Sequence, residues 1–191
     1  LSKLQRAAQI LAKPFSEGCG SGKVSWCGAA LPTPEWAAKV YGEPASEALV
    51  ERLWQDITPI LRLEKEDPSA FWRSHGESIK SRCEKLESLK IQKLRFVGAG
   101  TDLTVACLPN AKWIGGGLHI EGKPSFIPNL PTEESFTTPD FRGTEGVAKV
   151  VRPVTVLGRS VVGAWFKFEQ GKVVDYGAEE QKEALDDYFK M

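Results

Sequence analysis

The first half of the chain is patterned on a helical period. Across residues 46–63, Leu49, Val50, Leu53, Trp54, Ile57, Ile60 and Leu61 fall on one face, the spacing of an amphipathic helix. Pro59 is expected to kink that helix or end it early. Leu4, Ala7, Ala8, Ile10 and Leu11 carry the same period through residues 2–13. Pro34–Tyr41 opens with a proline after Thr33, and Asp67-Pro68 repeats the signal. In both, a capping side chain precedes a residue whose missing amide hydrogen costs nothing in the first turn. Behind Asp67, Trp72, Ile79, Cys83 and Leu86 form the apolar stripe, with His75 on the same face. No histidine, cysteine or acid stands at ligand spacing from it, so His75 reads as a packed or capping residue.

Near residue 90 the pattern turns to strands. Ile91–Val97 alternates in part, and Leu103–Leu108 reads as a strand. Lys112–Ile114 and Leu118–Ile120 flank a glycine turn at 115–117, and Val147–Val156 and Val161–Phe168 are rich in β-branched residues. Gln170-Gly171 is expected to turn the last of these into Lys172–Tyr176 as a hairpin. A closing helix is expected over Glu179–Lys190 through Ala184, Leu185, Tyr188 and Phe189. Before residue 90 only Val24–Ala30 reads as strand, short and buried. Gly18–Lys23 is glycine-rich, but Glu17 stands where a phosphate loop needs glycine and Val24 where it needs serine or threonine. It is a connector. The fold class is α+β: a helical N-terminal part, then a mostly antiparallel β unit, with a boundary near 88–92.

Composition excludes several classes. Lysine plus arginine equals aspartate plus glutamate, 25 each, so no basic surface points to nucleic acid. No apolar run reaches the length of a membrane span. The four cysteines, Cys19, Cys27, Cys83 and Cys107, form no paired motif and read as reduced, mostly buried thiols. With only His75 and His119, a histidine-rich zinc site is hard to assemble. The chain does not begin with methionine and holds one, at position 191, which reads like a piece of a longer polypeptide.

The strongest candidate chemistry lies in Phe126–Pro139. Pro128, Pro131 and Pro139 exclude helix and bias the residues before them toward extended backbone. Between them stand adjacent acids, Glu133 and Glu134. On extended backbone, neighbouring side chains point to opposite faces, so one glutamate is free to face a cavity while the other faces a different layer. A stiff carboxylate pair suits a hard metal ion or a general base; an exposed acidic loop is the plain alternative. Asn129 and Thr132 are candidates for orienting the pair by hydrogen bonds. Asp102, in Gly100-Thr-Asp-Leu103, reads as a turn aspartate bonding its own backbone.

Four blocks occur in order: Leu31–Ala38, Asp67–Trp72 with His75 beyond, Gly98–Thr104, and Pro128–Glu134 with Phe136–Pro139. Together they resemble the thermophilic metallo-aminopeptidases, the aminopeptidase T and aminopeptidase S family, over roughly residues 24–191. The fourth block is the most specific. The resemblance implies cytoplasmic, usually dimeric exopeptidases that remove N-terminal residues from peptides with two divalent metal ions (zinc, cobalt or manganese). It implies that residues 1–90 end an N-terminal α/β domain and that 91–191 begin the C-terminal metal-binding domain. The family's first ligand glutamate falls at Glu133 or Glu134. Its other ligands belong to motifs not found here, so this chain alone is expected to bind metal weakly, to be catalytically silent and to self-associate. The competing reading is a non-enzymatic module for protein–protein contact or dimerisation. No nucleic-acid or membrane partner is expected.

Overall fold

The computed structural model describes the backbone from residue 3 to 191 and side chains from residue 7 onward. Ser2 and the Leu4 side chain, part of the expected first helix, lie outside the described residues. The helical stretch comprises α1 (Lys3–Gly20), β1 (Gly28–Ala29), α2 (Pro34–Tyr41), α3 (Glu47–Leu61) and α4 (Pro68–Ser88). Then come β2 (Lys93–Gly98), β3 (Thr101–Cys107), β4 (Ile114–Gly115), β5 (Asn129–Leu130), β6 (Ser135–Phe136) and β7 (Pro139–Lys149). β8 (Val154–Val156), β9 (Arg159–Val161), β10 (Trp165–Glu169), β11 (Lys172–Gly177) and α5 (Lys182–Phe189) complete the α+β chain.

These elements form two compact units. One holds the residues up to Glu84 together with Ile114–Phe136; the other holds Lys85–Trp113 and Thr137–Met191. A single cut near residue 90 therefore misses one feature: the acid-bearing segment folds with the helices.

In the helical unit, the start signals at Thr33 and Asp67 act as expected, and Ser46 adds a third cap. Thr33 Oγ1 accepts the Trp36 amide, Ser46 Oγ the Leu49 amide, and Asp67 Oδ1 the Ala70 amide at 2.8 Å, satisfying N–H groups that no helical carbonyl reaches. Leu49, Leu53, Ile57 and Leu61 of α3 are buried with Ala37 of α2, and Leu130 of β5 packs on the same cluster. Pro59 sits inside α3, which ends two residues later at Leu61. α1 runs to Gly20, through the expected connector, and leaves Ile10, Leu11 and Phe15 exposed. The expected buried strand at Val24–Ala30 shrinks to exposed β1, which pairs in parallel with β5. Lys112–Ile114 and Leu118–Ile120 do not pair with each other. β4 pairs with β6, and Leu118 bridges to Phe126.

The β unit is a five-stranded antiparallel sheet, β11-β10-β7-β3-β2. The expected long strand at Val147–Val156 is two strands, β7 and β8, split by Val150–Pro153. Val161–Phe168 is likewise split at Gly163, whose φ of +63° breaks the extended run. Gln170 and Gly171, at φ 50° and 75°, form the expected hairpin turn between β10 and β11. Leu157 and Gly158, at φ 49° and 80°, make a second between β8 and β9. α5 buries Ala184 and Leu185 against Val161 and Ala164. Asp102 is in β3 rather than a turn, gripped across the β2–β3 pair by Arg95 Nε and an Arg95 terminal nitrogen at 2.8 and 2.7 Å. These hydrogen bonds hold its carboxyl below the usual carboxylate range.

Candidate functional site

Glu133 and Glu134 occupy the connector between β5 and β6, in the helical unit. The connector is tied at three points. Upstream, Leu130 is anchored in the α2–α3 core, and the Leu130–Pro131 peptide is cis. Downstream, Ser135 and Phe136 pair with Gly115 and Ile114. Between them, the Thr132 carbonyl accepts from His75 Nε2 of α4 at 3.2 Å.

Glycines make these approaches possible. A Cβ on Gly76 of α4 would lie 2.4 Å from the Gly116 carbonyl oxygen, and one on Gly115 would lie 2.4 Å from that of Glu134. Helix, glycine turn and acid-bearing connector are thus stacked backbone on backbone, with Ile79 and Cys83 of α4 buried beside them. The packing role of Gly115–Gly117 is to let this layer close.

The two acids differ in their surroundings. Glu133 Oε1 lies 3.0 Å from His75 Nε2, and Glu133 Oε2 lies 3.8 Å from an Arg82 guanidinium nitrogen. Both neighbours of Nε2, the Thr132 carbonyl and the Glu133 carboxylate, are acceptors, so Nε2 carries the hydrogen. Glu134 is exposed and has no ion-pair or hydrogen-bond partner among the described residues. Asn129 is exposed on β5 beside Gly28. Neither its side chain nor that of Thr132 hydrogen-bonds a glutamate among the described residues; the orienting groups are His75 and the Thr132 main chain. His75 and Arg82 were not legible as partners of Glu133, because the contact joins elements 57 residues apart at Thr132.

A concavity of about 890 Å³ in this unit is lined chiefly by apolar groups such as Leu31, Trp54, Trp72, Phe126 and Leu130. Neither glutamate lines it. No cluster of three or more His, Cys, Asp or Glu side chains able to hold a metal occurs among the described residues. The carboxylate oxygens have the hardness a divalent cation requires, so the pair fits as a contributor to a metal centre and not as a complete one. The cysteines are all free; Cys83 is buried, but Cys27 is exposed rather than buried. No described helix is long and apolar enough to cross a membrane.

Comparison with known proteins gives a consistent answer. Aminopeptidase T of Thermus aquaticus is 34% identical over 185 residues, covering 97% of this chain and 45% of that protein. Aminopeptidase PepS of Streptococcus thermophilus is 33% identical over 187 residues, again covering 97% and 45%. The structure of wild-type AmpT from Thermus thermophilus superposes with a TM-score of 0.85 at 32% identity, over 97% of this chain and 45% of that one. The chain thus spans just under half the length of these relatives. The family described as thermophilic metalloprotease (M29) matches residues 1–191. By this match over its whole length, the chain belongs to the M29 thermophilic metalloproteases.

Proposed function

We propose that the whole protein is a metal-dependent aminopeptidase that removes N-terminal residues from peptides, and that Glu134 is a metal ligand while Glu133 is the acid beside it. The observation that carries this assignment is the asymmetry of the pair: His75 and Arg82 engage Glu133, whereas Glu134 keeps both oxygens available. The names of the relatives, aminopeptidases all, support the activity. The chain supplies one or two of the donors, and tight divalent binding needs several held together. The isolated 191-residue chain is accordingly silent and binds metal weakly.

Two divalent ions, zinc, cobalt or manganese, would supply Lewis acidity and a water of lowered pKa. The residues of this chain hold and orient. The Glu134 carboxylate donates oxygen. Glu133, with Oε1 accepting the His75 N–H and Oε2 facing Arg82, would take the proton of the attacking water and pass it to the departing amine. Thr132 places both acids through its main chain, and Asn129 supports the approach to the connector. In this reading the helices up to about residue 90 end an N-terminal α/β domain and the strands of the five-stranded sheet open the metal-binding domain, with Glu133 and Glu134 carried on the segment that folds with the helices. Four free cysteines suit a reducing cytoplasm. β2, an edge strand with Phe96 and Val97 exposed, supports self-association into a homodimer.

The test uses the full-length protein and an aminoacyl p-nitroanilide. Glu134→Gln is expected to lose bound metal and hydrolysis together. Glu133→Gln is expected to keep metal and lose turnover. Intact hydrolysis in the double glutamine variant would end the proposal.

A further inference from the structure

We infer that His75 is a positioning residue for the acid pair, acting through Glu133 and the Thr132 carbonyl. This rests on the peptidase reading above. Two aromatic contacts fix the imidazole. Phe71, one helical turn earlier, stacks on it at a centroid distance of 5.8 Å and an interplanar angle of 10°. Trp72 meets it edge-on at 5.5 Å and 85°. Trp72 is itself pinned, its indole Nε1 donating 2.9 Å to the Leu61 carbonyl at the end of α3. Gly76, the next residue, lets the helix seat directly on the Gly116 backbone. The ring therefore has little rotational freedom, and its Nε2–H is aimed at a fixed point.

At that point one N–H is shared by two acceptors on successive residues, the Thr132 carbonyl at 3.2 Å and Glu133 Oε1 at 3.0 Å. The first pins the backbone entering the acid pair. The second selects the direction of the Glu133 side chain. Arg82, two turns along the same helix, stands on the other Glu133 oxygen.

For stability the His75–Glu133 pair matters little, because the Glu133 side chain is 68% exposed and solvent screens it. Its effect is on geometry. A carboxylate free to rotate samples many orientations, whereas one held by a caged donor is presented in a single one, as outer hydrogen bonds do for groups around metals. Glu134 follows, since its own backbone is the next peptide along.

The experiment compares two substitutions in the full-length protein. His75→Phe keeps a ring between Phe71 and Trp72 and removes the N–H. His75→Gln keeps an N–H donor and removes the ring. Readouts are the thermal midpoint, Co²⁺ affinity of the metal-free protein by calorimetry, and kcat and KM on an aminoacyl p-nitroanilide. His75→Phe is expected to melt close to the parent, with kcat or Co²⁺ affinity lowered about 10–100-fold and KM nearly unchanged. His75→Gln is expected to recover much of that loss. Wild-type values in His75→Phe, or no recovery in His75→Gln, would overturn the inference while leaving the peptidase reading intact. Absence of hydrolysis and of Co²⁺ binding in the unsubstituted protein would overturn both.

Discussion

Gly76→Ala tests the layer that carries the site. In an ordinary exposed helix the change is favourable by about 1 kcal/mol, because alanine loses less backbone entropy. Here the added Cβ would stand 2.4 Å from the Gly116 carbonyl oxygen, where ordinary contact begins at 3.4 Å. About 1 Å of separation must be found, and the obstructing atom is backbone, so no side chain can swing away. Gly116 cannot yield easily, since its own φ of +75° and its approach to the Gly76 carbonyl leave it confined. Overpacking of this kind costs roughly 1–3 kcal/mol, and the rigid obstacle puts it at the upper end. The net expectation is a loss of about 1–2 kcal/mol, a urea midpoint lower by about 0.5–1 M at typical sensitivity. Tryptophan fluorescence during urea unfolding is a suitable assay, as Trp72 lies one turn away. Ser81→Ala, at an exposed position of the same helix, is the control and is expected to gain about 0.5 kcal/mol. A Gly76→Ala protein as stable as the parent would refute the argument that backbone contact between α4 and the glycine turn leaves no room for a methyl group.

Two further outcomes follow from the β unit. Asp102 owes its lowered pKa to Arg95, so its folded value lies below its unfolded one. Its contribution to stability is present above the ordinary carboxylate range and is lost as pH falls through the folded value. Arg95→Ala is expected to raise the Asp102 midpoint, read by carboxyl NMR; an unmoved midpoint would show that the ion pair does not form in solution. Leu157 sits at φ 49° in the β8–β9 turn and is half exposed. Leu157→Asn is expected to stabilise by about 0.5–1 kcal/mol, because asparagine tolerates left-handed backbone, and an unchanged or lower thermal midpoint would contradict this.

What was legible in the sequence was whatever short-range chemistry decides. Thr33 and Asp67 were readable as caps because the hydroxyl or carboxylate that does so lies three residues from the amide it serves. Gln170-Gly171 was readable as a turn because glycine relieves the positive φ of a tight hairpin. Leu157-Gly158 makes the same kind of turn, yet leucine hides it inside a β-branched run. The acid pair stood out because three prolines mark its backbone. Its surroundings did not, since His75 reaches Thr132 and Glu133 only after the helix and the glycine turn have closed on each other. Asp102 was misread for a related reason: its partner Arg95 is local in sequence, but only the strand register brings the two within reach, diagonally across the β2–β3 pair.

The route of the chain has a consequence for synthesis. Residues 114–136 belong with the helices although β2 and β3 precede them and β7 follows. A ribosome must therefore emit two strands of the other unit before it releases the piece that finishes the first. Gly76 has no surface to rest on until Gly116 has emerged, and His75 no carboxylate to hold until Glu133 has, so the helices wait for a segment that follows two strands of the other unit.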